Sequence, residues 1–130
     1  MNGKGSKAKG ASGERECQDE LYPIFGAHNC WRGYQRITNH GVADVITPLL
    51  WCEVKRTETL QMHPALEQAA KDCPENLFPC VRHRRNHKSP VYIMYAKDFL
   101  RLIQDYWRLK EQEKLGDAKG TGLSDSKAGV

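Results

Sequence analysis

The chain has 130 residues, of which 39% are hydrophobic, and carries a formal net charge of +4, enough apolar material for one small core and too little for two. No apolar run reaches the roughly 20 residues that span a bilayer, and the N-terminal stretch has no apolar secretory segment. Five cysteines at irregular spacings argue against a disulfide framework, so the expectation is a cytoplasmic protein with reduced thiols and no membrane partner.

The two ends, "MNGKGSKAKGAS" and "EKLGDAKGTGLSDSKAGV", hold little to bury and much Gly, Ser and Lys. Residues 1–12 and 111–130 therefore read as flexible tails around one domain over 13–110. Ser12 can cap a helix over about 13–25, with Glu14 and Glu16 in its first turn and Cys17, Leu21, Ile24 and Phe25 at helical spacing, until Pro23 and Gly26 kink or end it. "WRGYQRIT" suits a strand or an irregular approach. "GVADVI" and "LLWCEVKRT" form a strand hairpin with its turn at Pro48. Pro64 opens a second helix with Leu66, Ala69, Ala70 and Cys73 on one side, closed by Pro74. "LFPCVRH" and "PVYIMYA" are two more strands. A last helix from about Lys97 buries Phe99, Leu100, Ile103, Tyr106 and Trp107 along one stripe. The fold class is α/β, in the order α-β-β-α-β-β-α.

Two clusters carry chemistry that admits more than one reading. Cys73, Cys80, His83 and His87 follow a zinc-type order but lack the usual short first spacing; otherwise Cys80 and His83 are strand residues and His87 a turn residue. "RHRRNHK", Arg82 to Lys88, has four permanent positive charges and no acid. It suits a polyanion or is a solvated hairpin tip.

The stretch "WCEVKR" places Glu53 and Lys55 on one face of a strand and Cys52 and Val54 on the other. Alone, the pair is either a solvated surface or half of an active site. A tight turn at Pro48-Leu49 sets residue 44 opposite residue 53, making Asp44 and Glu53 cross-strand neighbours about 5 Å apart at Cβ; a longer turn would shift that pairing. Two acids there repel, and a divalent cation such as Mg²⁺ between them resolves the repulsion. On the first helix, Glu14 lies within roughly 20° of the direction shared by Cys17, Leu21 and Phe25, while Glu16 and Glu20 point away. First-turn acids also suit the helix dipole, but that explains Glu16 as well as Glu14.

Asp44, Glu53-x-Lys55 and Glu14 together resemble the PD-(D/E)xK nuclease superfamily. More narrowly, "GERE", "GVADV", "CEVKRTETL", "ALEQA" and "VRHRRN" are similar to phage-encoded nucleases related to archaeal Holliday junction resolvases, across residues 13–103. Ala43 departs from the pattern, since many members have Pro before the metal-binding acid. The resemblance implies a restriction-endonuclease-like fold, a mixed sheet flanked by helices. It also implies a Mg²⁺-dependent endonuclease, with Mn²⁺ as a substitute, that cuts Holliday junctions or other branched DNA as a homodimer in the host cytoplasm. Asp44, Glu53, the Val54 carbonyl and Glu14 would hold the metal, and Lys55 would position the attacking water. Other enzymes of that fold nick or restrict DNA, and a non-catalytic DNA-binding module is the reading from a different class; intact Asp44, Glu53 and Lys55 argue against the last. Arg84, Arg85 and Lys88 would meet phosphates, and Arg56 would reach the backbone. Gln68 matches the glutamine of the helix after the ExK strand, although roughly 160° from that helix's apolar centre it faces solvent or DNA. His63 could also reach the backbone or be a plain surface residue. Trp51 is assigned to the core.

Overall fold

In the computed structural model, which describes residues 3–33 and 43–119, the run Leu50–Lys55 forms the middle strand of the sheet. The elements in chain order are α1 (Gly3–Phe25), a 3₁₀ turn (Ala27–Asn29), β1 (Trp31–Arg32), β2 (Val45–Ile46), β3 (Leu50–Lys55), α2 (Met62–Lys71), β4 (Phe78–His83), β5 (Val91–Ile93) and α3 (Ala96–Lys119). The described residues are thus α/β, with three helices and a five-stranded mixed sheet in the spatial order β1-β2-β3-β4-β5. The β3–β4 pair is parallel and the others are antiparallel. Parallel neighbours cannot be joined by a tight turn, and α2 supplies the crossover between them.

Strand alternation sorts the core onto two faces. Cys52, with its neighbours Cys80 and Val45, packs against Cys17 and Leu21 of α1. The opposite face carries Val81 against Ala65, Leu66 and Ala69 of α2, and Trp51, only 1% exposed, with Ile46 and Ala43. Gly13 lies where α1 passes the end of β3, and a Cβ there would stand 3.2 Å from Arg56 Cβ and 3.3 Å from Val54 Cγ1. The helix ends at Gly26, whose φ of 87° is a conformation that other residues rarely adopt.

Several expectations need correction. Helix α1 begins at Gly3, so much of the stretch assigned to an N-terminal tail is helical, and α3 runs on to Lys119 through residues assigned to the C-terminal tail. Ile24 is 71% exposed, whereas Phe25 next to it packs against the core. Most of the expected "WRGYQRIT" strand, and Gly41 and Val42 of the next, lie outside the described residues. The chain divides into two compact units, Met1–Tyr95 and Ala96–Val130; within its own unit α3 buries none of Phe99, Leu100, Ile103, Tyr106 and Trp107. A 3.6-residue period shows that a face is apolar without showing what covers it. No helix among the described residues is long and apolar enough to cross a membrane.

Candidate active site

The hairpin between β2 and β3 has the tight turn inferred above. Val45 pairs with Cys52 and Ile46 with Trp51, and the same register carried one step outward sets Asp44 against Glu53. Thr47 fixes the turn by accepting hydrogen bonds at Oγ1 from the Leu49 and Leu50 amides, at 3.1 and 2.8 Å. The β2 ladder covers Val45–Ile46, while β3 runs on to Lys55. Just before β2, the Asp44 carboxylate accepts the Val54 N–H at Oδ2, 2.9 Å away. Asp44 is held on its other side through its carbonyl, which accepts from the Gly33 amide at 2.9 Å.

Glu53 is buried, with 7% of its surface exposed. Burial, and then the neighbouring Asp44 charge, push its carboxyl from 4.5 up to about 7, against the opposing pull of Lys55; a hydrogen bond with Asp44 adds to the rise. Burial thus favours the neutral Glu53 carboxyl, and the charge of Asp44 beside it adds to that preference. Mg²⁺ takes one or two carboxylates and keeps several waters, so the pair fits it. Among the described residues no set of three or more His, Cys, Asp or Glu side chains is grouped to hold a metal. Glu14 does not complete such a set: its Oε1 accepts from Arg32 Nη2 at 3.1 Å and Nε at 3.3 Å, and its charge is the smallest of those raising Glu53. Arg32 pairs in register with Val45, which places it on the α1 face, whereas Glu53 shares the α2 face with Val81.

Lys55 projects toward α2, where its Nζ donates to Gln68 Oε1 at 3.3 Å. Gln68 is exposed, as its place on the helix requires, yet it is brought to the lysine because α2 packs across that end of β3. The basic turn after β4 is drawn to the same end. The Arg84 amide donates to the Lys55 carbonyl at 3.0 Å, Arg56 Nη1 donates to Asn86 Oδ1 at 2.9 Å, and the Asn86 amide donates to Glu58 Oε2 at 2.6 Å. Arg85 and Lys88 are left exposed on this turn, and His63 is exposed beside Pro64.

The remaining basic residues divide differently from expectation. Arg82 is 1% exposed and lies on the α1 face, where it donates to Glu16 and Glu20; it is a core ion pair and cannot meet a phosphate. Arg84 donates to the same Glu16 at 2.9 Å and to the Lys88 carbonyl at 3.0 Å. Glu16 and Glu20 therefore do not point away from the core: burial would raise Glu16, but Arg84 and Arg82 outweigh it and hold its carboxyl below the usual range. Tyr92 donates to Glu20 Oε1 at 2.7 Å. The sequence hides this network because Arg82 stands beside the arginines of the turn; strand alternation from Cys80 is the signal that places it inside.

The zinc-type order is not assembled. Cys73 gives its thiol to the carbonyls of Pro74 and Leu77, while Cys80 is buried with its sulfur 3.1 Å from that of Cys52, and the cysteines are free. No family model matches the chain, and comparison with curated proteins and with solved structures gives no match.

Proposed function

We propose that the protein is a Mg²⁺-dependent endodeoxyribonuclease with a restriction-endonuclease-like fold of the PD-(D/E)xK type, acting on Holliday junctions or other branched DNA. The observation that carries this reading is the Asp44–Glu53 pair. Two acids are held together by hairpin register at the end of a ladder, one of them buried and reluctant to ionise, with Lys55 one strand step beyond. A merely solvated strand face gives no reason for this arrangement, and nucleic-acid binding alone has no use for paired acids. Asp44, Glu53 and the Val54 carbonyl would hold the cation, which when bound acidifies water and neutralises charge on a phosphate. Lys55 presents its ammonium beside the phosphate and offsets charge that grows during in-line attack, and Gln68 keeps the amine from swinging away. Arg56, Arg85 and Lys88 fix the DNA through its phosphates, without reading bases. Glu14 supports the site from α1 through Arg32.

The test is to incubate the purified chain and a Lys55→Met variant with Mg²⁺ and single-stranded, duplex, flap and four-way junction DNA. Symmetric paired nicks on the junction by the wild type, and none by the variant, are expected. Equal cutting of plain duplex would remove the junction preference, and undiminished cutting by Lys55→Met would remove the assigned site.

A further inference from the structure

Besides Glu58, three hydrogen bonds tie the segment after β3 to the end of β4 and its turn: the Arg84 amide to the Lys55 carbonyl at 3.0 Å, His83 Nε2 to the Thr57 carbonyl at 2.9 Å, and Arg56 Nη1 to Asn86 Oδ1 at 2.9 Å. Glu58 adds a fourth contact, accepting the Asn86 N–H at Oε2, 2.6 Å away. Its side chain is nevertheless exposed. The Asn86 bond does most to hold the Glu58 carboxyl below its usual range, and the charges of Lys9, Arg85 and Arg56 add to it against desolvation. Three separate stretches of chain, α1, the end of β3 and the turn, thus bring cations to one carboxylate on a surface already held together without it.

A backbone N–H flanked by arginine and lysine is how proteins commonly hold a nucleic-acid phosphate, and a carboxylate oxygen accepts the same charge-assisted bonds. One carboxylate leaves these cations in excess. The turn that presents the N–H is also kept at a cost. It closes with the Lys88 amide on the Arg85 carbonyl at 3.2 Å, and its third residue, His87, has φ 60°. A turn of this form normally takes Gly at that place, and strain of this kind gathers at ligand-binding sites.

We infer that the Glu58 carboxylate occupies a binding site for a backbone phosphate of DNA and is displaced when DNA binds, so that the Asn86 N–H, Arg56, Arg85 and Lys9 exchange an internal anion for an external one. The choice of DNA as the source of the phosphate rests on the nuclease reading. The test is DNA binding by fluorescence anisotropy at low salt in EDTA, where cleavage does not enter. Glu58→Gln removes the charge but keeps an oxygen for the Asn86 N–H, and should tighten binding about tenfold whatever the DNA sequence. Glu75→Gln, the same charge change at an exposed residue before β4, should alter it less than about twofold. In an Arg56→Ala background the gain from Glu58→Gln should fall to about threefold or less, since the two residues share the site. In Glu58→Gln, the Asn86 amide resonance should move with an oligonucleotide at concentrations where inorganic phosphate leaves it in place. Weaker binding by Glu58→Gln would make Glu58 a brace for the turn, and an equal gain from Glu75→Gln would make the effect one of general charge. Either result would overturn the inference, as would a gain undiminished by Arg56→Ala or an Asn86 resonance that answers to inorganic phosphate alone. A chain that binds DNA as described yet cuts none would overturn the nuclease reading and leave the phosphate site standing.

Discussion

Replacing Asp44 with asparagine should alter the way stability depends on pH, by an amount set by Glu53. Burial and then the Asp44 charge move the Glu53 carboxyl from 4.5 to about 7. At about 1.4 kcal/mol per pH unit this shift is worth on the order of 3 kcal/mol. Because the folded value lies above the unfolded one, the folded state holds its proton longer. The metal-free protein therefore has this contribution in full below about pH 4.5 and loses it as the pH rises through about 7. The asparagine removes the Asp44 charge but keeps an amide oxygen to accept the Val54 N–H, so burial remains and Glu53 returns only part of the way. The loss between pH 5 and pH 8 should shrink by on the order of 1 kcal/mol. Whatever the weaker bond to Val54 costs applies equally at both pH values and leaves that difference intact. Urea denaturation in EDTA measures it directly. Adding Mg²⁺ should act on the two proteins differently: the wild type gains stability by mass action, more at pH 8 than at pH 6 because protons compete for the same oxygens, and the variant gains little. Identical pH slopes in the two proteins, or identical stabilisation by Mg²⁺, would refute both the carboxylate coupling and the metal assignment built on it.

Three further outcomes follow from the placement of the charged residues. Arg82→Ala should destabilise the fold by about 2 kcal/mol in denaturation experiments, below the range for fully buried pairs because Glu16 and Glu20 keep some contact with water; a neutral effect would show that the buried guanidinium holds nothing together. Arg85→Ala and Lys88→Ala should leave stability unchanged while weakening binding to every DNA sequence, and each lost phosphate contact should lower the salt slope by about 0.9, which a salt titration reads. Glu14→Gln should slow cleavage by about tenfold with folding intact, since it loosens Arg32 and removes a charge near Glu53, while Glu16→Gln should lower stability and leave cleavage per folded molecule near wild type; the opposite ranking in the two assays would reverse these roles.

The hairpin was legible because turn and pairing are tied together. Once the turn is placed at Pro48-Leu49, the sum of paired positions is fixed, and Asp44 must face Glu53 whatever the rest of the chain does. The alternation of β3 was equally legible: Cys52 faces α1, and Trp51 is buried on the opposite face, as a period of two requires. What could not be read is the third dimension of each contact. Gln68 sits on the polar side of α2, and nothing in its own helix says that β3 ends beneath it with Lys55 pointing its way. The tie between the basic turn and the segment after Lys55 is another such contact, made by Asn86 and Glu58, which are unremarkable in their own neighbourhoods.

The three acids of α1 show why a helical wheel was insufficient. It sorts Glu14 from Glu16 and Glu20 by their angle to an apolar stripe, and assumes that the other directions lead to water. In this fold one of those directions leads to β4, where alternation has put Arg82 on the α1 face, only 1% exposed. An arginine so enclosed has to find carboxylates, and the two nearest turns of α1 offer Glu16 and Glu20. The wheel and the strand pattern were each readable alone. Their combination requires knowing that α1 crosses β4 as well as β3, which is a property of the packed sheet and of neither segment. Arg32 is paired with Glu14, and Arg82 with Glu16 and Glu20. Among the described residues, Lys55 opposes the rise of Glu53 without reversing it. On the proposed reading, a carboxylate pair that its lysine does not neutralise would take a cation from solution.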